Sequence, residues 1–360
     1  MKKTNRCYVD IHVLQTVPPS CINRDDTGSP KIAVYGGVTR SRVSSQAWKR
    51  AVRLDFQKLF SREQLGFRTK KALSMITQEI MKLEPSMETE EAEKRAGSAL
   101  EKAGLSLNKD KETDVLLFMS VTQAKALAEL VMSNAEDKNA YKTALRDNPS
   151  VDQILFGRMV ASDPSLNYDA AVQVAHAIST HAVQNEFDYF TAVDDRAPED
   201  QSGAGHIGTT EYNSATLYRY ATVNVNEIAA WLSCETAEVV KGFTEAFCCS
   251  MPTGKQNTFA NRTLPDLIYV AIRNDQPVNL VGAFEKPIVA GKDGHAAASE
   301  IALKDYAERT YALFVPQPAL SLCTSRHDIM PETAKPCSLP LLLEELGKFV
   351  TEYLAKTEEM

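Results

Sequence analysis

A chain of 360 residues has room for two or three structural units, and 44% hydrophobic with 24% charged residues is an ordinary globular balance. No apolar run reaches bilayer length and the charged start lacks a signal-peptide core, so no membrane partner is expected and the expected compartment is cytoplasmic. A net charge of −7 argues against indiscriminate polyanion binding, but residues 1–58 hold eleven Lys and Arg against four acids, a net of +7 that leaves −14 for the rest.

Residues 8–17 (YVDIHVLQTV) alternate apolar and polar side chains, which predicts a half-buried strand ended by Pro18-Pro19. Residues 20–43 read as one long loop, a length that is usually functional or disordered. Ser44 or Ser45 then caps a helix running to about residue 60, with Trp48, Val52, Leu59 and Phe60 as its core contacts. Seven cations lie in this stretch: Arg24, Lys31, Arg40, Arg42, Lys49, Arg50 and Arg53. Cationic side chains, a Gly36-Gly37 hinge and a helix start in succession are what gripping several phosphates requires.

From 69 to 185 the pattern is helical, with helices expected at 69–83, 89–103, 113–133, 136–147, 150–162 and 168–185. Lys138, Lys142 and Arg146 are spaced by four and line one helix face, which reads first as a solvated face. Strands at 187–193 and 215–225 flank a Gly-, Ser- and acid-rich tip, the signature of an extended β-hairpin. Further helices are expected at 226–233, 235–250, 297–313 and 338–356, and strands at 265–273, 278–284 and 318–325. Without the helical insertion and the arm, the order suits an α+β, ferredoxin-like or RRM-like sheet.

Motifs for catalysis are weak. Gly203, Gly205 and Gly208 spell G-x-G-x-x-G, but no apolar strand precedes them and no helix follows. Pro252-Thr253-Gly254-Lys255 lacks the first glycine of a P-loop, although Lys255 in that turn is placed to meet a phosphate. His176 and His181 are five apart on the expected helix, off the spacing for a shared metal, and His206 and His295 lie in glycine-rich loops. The acid pairs Asp25-Asp26 and Asp194-Asp195 lie on loops, where paired carboxylates can hold a divalent ion, but adjacent acids rarely converge on one ion and Asp25 and Asp26 read better as orienters of Arg24. The seven cysteines form no CxxC pair, and core packing suits Cys248-Cys249 best. Met159, Tyr189 and Phe190 are candidates for stacking on bases, each with ordinary core packing as the plainer reading.

The blocks IHVLQTVPPSCINRDDTGSPK, VYGGVTRSRVSSQAWKRAVR, AHAISTHAVQNEFDYFTAVDD and GHIGTTEYNSATLYRYATVN resemble the CasC family, the backbone subunit of the type I-E CRISPR Cascade complex. The resemblance implies a hand: an RRM-like palm from 1–59 and 183–360, helical fingers from 60–182 and a hairpin thumb at 193–215. It implies a non-enzymatic subunit that polymerises along CRISPR RNA beside other Cascade subunits, pairs its guide with a target DNA strand, and leaves cleavage to a recruited helicase-nuclease. No cofactor or metal is implied. By position, Arg24, Lys31, Ser44, Gln46, Lys49, Arg50 and Arg53 resemble the RNA-backbone contacts, and Met159 and Phe190 the residues around a displaced base. Lys138 and Lys142 fall where the fingers meet target DNA. Val38 and Thr39 stand where the family carries cations. The alternative is a metal-dependent ribonuclease built on Asp25 and Asp26.

Overall fold

The computed structural model describes residues 6–160, 163–192, 196, 206–232, 235–330 and 334–358. The chain divides into two compact units: residues 1–54, 174–223 and 243–360 form the first, and 55–173 with 224–242 the second.

The first unit is a mixed α and β body built on one large sheet. β1 (Tyr8–Ser20) is followed by β2 (Ile32–Tyr35), β3 (Val38–Val43) and α1 (Ser45–Asp55). In the second unit come β4 (Gly66–Thr69), α2 (Ala72–Leu83), α3 (Thr89–Lys102), β5 (Leu117–Ser120), α4 (Val121–Met132), α5 (Lys138–Arg146) and α6 (Val151–Phe156). The chain then runs through β6 (Val172–Val174), β7 (Ala177–Ser179), β8 (Glu186–Ala192), β9 (His206–Asn224), α7 (Val225–Leu232), α8 (Thr236–Cys249) and α9 (Gln256–Phe259). It closes with β10 (Leu267–Arg273), α10 (Gly294–Leu313), β11 (Leu320–Ser325), β12 (Lys335–Pro336) and α11 (Leu339–Glu358).

The sheet runs β12-β11-β10-β1-β9-β7-β3-β2, with β8 paired to β9 off this path. β1 is central, antiparallel to β10 with Ile11 opposite Val270. Both of its faces are covered, which corrects the half-buried expectation: Asp10 and His12 are as inaccessible as Val9, Ile11 and Val13. Burial of these residues is tolerated because the Asp10 carboxyl and His12 Nδ1 have partners, while His12 Nε2 is left without one. Tyr220 Oη (2.8 Å) and the Val278 amide (2.8 Å) donate to Asp10, and His12 Nδ1 meets Tyr218 Oη at 2.8 Å. Burial pushes the Asp10 carboxyl up to about 6 and His12 down to about 3.

Three expectations are corrected. Residues 20–43 are not one loop, because β2 and β3 form a hairpin closed by Gly36-Gly37. Both glycines have positive φ (59° and 79°), as a two-residue turn matching strand twist requires, and a Cβ on Gly36 would lie 1.7 Å from the Glu285 carbonyl oxygen. Residues 168–185 are not helical: β7 pairs with β3 and β9 there. Residues 281–284 form a 3₁₀ turn rather than a strand.

In the second unit, α2, α3 and α4 pack through Leu73, Ile76 and Ile80, Ala92, Ala96 and Ala99, and Leu127 with Val131. These recur at helical spacing, and the alanines let the axes approach closely. β4 and β5 form a separate antiparallel pair, so the front of the expected helix at 113–133 is strand. No helix among the described residues is long and apolar enough to cross a membrane.

Candidate nucleic-acid interface

The cationic stretch is held in the first unit by three anchors. At the loop 23–31, Asp25 Oδ1 accepts from the Thr27 amide (3.0 Å), Thr27 Oγ1 (2.7 Å) and the Ser29 amide (3.0 Å). These bonds hold its carboxyl below the ordinary carboxylate range, the Thr27 hydroxyl first. Asp25 thus shapes the loop, an Asx-type role, rather than orienting Arg24. Ser29 Oγ donates to Glu211 Oε1 (2.9 Å), tying the loop to the base of the β8–β9 hairpin. Finally, Asn23 Oδ1 accepts from the Ser44 amide (2.8 Å) while Ser44 Oγ caps the Ala47 amide (3.3 Å). Ser44, not Ser45, is therefore the N-cap of α1, and its nearly buried hydroxyl is committed to that cap.

On this frame Arg24, Gln46 and Arg50 are exposed, and Lys31, Arg42, Lys49 and Arg53 are partly so. Arg42 Nε donates to the Ile32 carbonyl (3.2 Å) and Nη1 to His176 Nδ1 (3.3 Å). His176 is held below its ordinary pKa by burial first, then by the Arg42 and Lys31 charges. Three basic side chains therefore meet with no acid among the groups shifting His176, a positive cluster suited to an anion. Lys255 comes to the same region. It sits in a left-handed turn (φ 51°), and the preceding Gly254 abuts the Ile22 carbonyl so closely that a Cβ would fall 2.3 Å from its oxygen. Both Arg24 and Lys255 act on the Cys21 thiol, lowering its pKa against the larger upward push of burial.

Arg40 is a correction. It is wholly buried, and its guanidinium donates to the carbonyls of Tyr35 (3.1 Å), Ser179 (3.0 Å), Phe284 (2.8 Å) and Glu285 (3.3 Å). With Nε, Nη1 and Nη2 all spent on backbone and no access to solvent, Arg40 holds the β2–β3 hairpin to its neighbours and is withdrawn from the phosphate contacts.

The hairpin stands beside this surface. Every residue of β8 is exposed, including Phe187 (67%), Tyr189 (63%) and Phe190 (43%). Phe190 pairs with Gly208, and a Cβ there would sit 2.4 Å from its ring, so the glycine sets the ring's position. The tip, including most of the expected thumb at 193–215, Gly203, Gly205 and Asp194-Asp195, lies outside the described residues, as does Cys234.

Met159, Lys138 and Lys142 belong to the second unit. Met159 is 79% exposed, and Lys138 is exposed at the start of α5. Lys142 Nζ lies 2.7 Å from Asp163 Oδ2, a contact that leads the causes holding the Asp163 carboxyl at about 2. Among the described residues no group of three or more His, Cys, Asp or Glu gathers as a metal site. His181 stacks on His295 with centroids 3.8 Å apart; its Nδ1 donates to the Ala182 carbonyl and its Nε2 accepts from the Thr216 amide. Sequence reasoning weighed His176 only as a metal ligand and passed over Asn23 and Glu211. Their signal is tertiary, since their partners lie 21 to 182 residues away.

A family model for CT1975-like proteins matches residues 9–348. Among solved structures, a chain of a "CRISPR RNA-guided surveillance complex, pre-nicking" is 32% identical, with a TM-score of 0.77, covering 95% of this chain and 100% of its own. A chain of a second "CRISPR RNA-guided surveillance complex" is 31% identical, with a TM-score of 0.64, covering 95% and 98%. Among curated proteins none matches.

Proposed function

The chain belongs to the family of CT1975-like proteins, and from that premise we propose that it is a non-catalytic, RNA-binding backbone subunit of a CRISPR surveillance complex of the type I-E Cascade kind. The observation that carries this reading is the end-to-end likeness to a chain of a CRISPR RNA-guided surveillance complex. The exposed or partly exposed cations Arg24, Lys31, Arg42, Arg50 and Lys255, with the exposed amide of Gln46, support it, because cations on a shaped backbone bind phosphates without reading bases. In this reading copies of the chain line up along a CRISPR RNA in the cytoplasm. An RRM-like palm grips the backbone, a thumb with Phe190 at its base displaces a base, and Met159 is a stacking residue. Finger residues including Lys138 reach target DNA, and a recruited helicase-nuclease cuts it.

Purification of the protein expressed with a CRISPR array and its partner subunits tests the reading. Short RNA of uniform length should co-purify and raise the 260/280 nm absorbance ratio. Protein free of nucleic acid would sink it. The non-catalytic part has its own test: complementary RNA with a divalent metal should stay intact, and cleavage lost on Asp26→Ala would favour a ribonuclease.

A further inference from the structure

The second unit contains a cavity of about 350 Å³ that neither the fold nor the guide-binding role requires. Its size is at the lower end of small-molecule sites. One wall is a single face of α2 with its cap: Lys71, Ser74, Met75, Gln78, Glu79 and Lys82 recur at i, i+3, i+4, i+7, i+8 and i+11. Opposite stand Phe67 of β4 and Arg62, whose guanidinium carbon lies 5.5 Å from the Phe67 ring centroid. Phe67 and Met75 are only partly buried, so the cavity offers a ring and a thioether to whatever enters it.

The charges in the cavity are unequally matched. Glu79 Oε1 accepts from Lys82 Nζ at 2.6 Å, which cancels that pair. Glu63 is held first by its own backbone amide and by Ser61, and the Arg62 and Lys82 charges also lower its carboxyl, so the lining carries three cations against two acids. Neither Arg62 nor Lys71 has an ion-pair partner within 4.0 Å among the described residues. Lys71 also occupies the N-cap position of α2, with no side-chain capping bond, and the first turn carries no acid. A cation there meets the positive end of the helix, an arrangement that an anion would relieve by serving the lysine and the first-turn amides together.

We propose that this cavity binds a nucleoside phosphate, with the phosphate between Arg62 and Lys71 at the start of α2 and the base against Phe67 and Met75. Ser74 and Gln78 supply hydrogen-bonding groups for the base edge. A phosphate alone would leave the aromatic wall unused, and an apolar ligand would leave the excess positive charge of the lining unmatched. The moiety can arrive as a free mononucleotide or as one residue of a single strand, and the two sources are separable.

The test uses the full chain and titrates AMP, inorganic phosphate and a ten-nucleotide single strand separately into wild type, Phe67→Leu and Lys71→Gln. AMP should bind more tightly than phosphate. Phe67→Leu should weaken AMP roughly 5- to 150-fold, the range of one base stacked on an aromatic ring, and leave phosphate binding unchanged. Lys71→Gln should weaken both, which keeps the test alive if Phe67→Leu misfolds. Sensitivity to both substitutions with the strand but not with AMP assigns the site to a polymer. Equal affinity for phosphate and AMP, or insensitivity of AMP and the strand to both substitutions, would overturn the proposal. Because neither residue lies in the first unit, co-purification of guide RNA should survive both substitutions, so this site and the guide-binding reading fail separately.

Discussion

Replacing Arg40 separates a cation that holds the fold from cations that hold a ligand. In Arg40→Met the side chain keeps an unbranched stem, ends short of the guanidinium and loses Nε, Nη1 and Nη2, orphaning the carbonyls of Tyr35, Ser179, Phe284 and Glu285. A buried polar group left without its partner costs about 1–3 kcal/mol. The Glu285 contact, at 3.3 Å, is the weakest of the four, and a water admitted to the gap would serve some of the others. A net loss of about 3–5 kcal/mol is therefore expected, a large share of a domain's total stability. Urea denaturation, read as the midpoint with an unchanged slope, measures it. RNA affinity at a temperature where the variant is still folded should fall less than twofold. A variant that unfolds like wild type while binding RNA tenfold more weakly would refute the structural assignment and return Arg40 to the interface.

Lys31→Ala should do the reverse, leaving the denaturation midpoint within about 0.5 kcal/mol of wild type while lowering the slope of log affinity against log salt by about 0.7, one phosphate contact on a single strand; an effect that varies with RNA sequence would contradict it. The titration of β1 is predicted to be silent in wild type. His12, lowered from 6.5 to about 3, contributes stability that is present above 6.5 and lost as pH falls, whereas Asp10, raised from 3.8 to about 6, contributes stability that is present below 3.8 and lost as pH rises to 6. Their slopes oppose each other between pH 4 and 6, so Asp10→Asn should unmask a rise of about 1.4 kcal/mol per pH unit in denaturation experiments across that window; a flat curve in the variant would remove His12 as its source. Gly208→Val should drive the Phe190 ring from its seat, since even a Cβ lies 2.4 Å from it, seen as a shifted Phe190 ring resonance with an unchanged melting midpoint; an unmoved ring would mean that the strand pair yields instead.

Much of this was readable where one physical signal dominates. Alternation marked β1, strand-like apolar runs marked β10 and β11, helical spacing marked α2, α3 and α5, and the polar tip between β8 and β9 marked a hairpin. The β2–β3 hairpin had its own signal, a Gly-Gly pair between alternating runs, and was obscured by the charge that drew attention to the same residues. Residues 168–185 misled for a different reason. Their alanines favour a helix in isolation, but the sheet offers β7 partners on both sides, and pairing overrides propensity. Charge located the cationic surface correctly and could not divide it. Arg40 and Arg42 are two residues apart on one strand and should share a face, yet one is sealed beneath four carbonyls and the other partly open. That distinction depends on residues 179 and 284–285, which no local window contains.

The position of β1 also fixes when the molecule can exist. As the chain leaves the ribosome, the first strand emerges with neither neighbour: β9 arrives about 200 residues later and β10 about 250. At roughly 5–20 residues per second, translation leaves β1 waiting on the order of 10–50 s for its second partner. Through that interval the cationic segment is attached to an unpaired strand and lacks the 281–285 segment that Arg40 must meet. Nascent chains stalled before residue 267 should therefore keep β1 open to protease, and ligand-binding shape is reached only once residues 267–285 have been made.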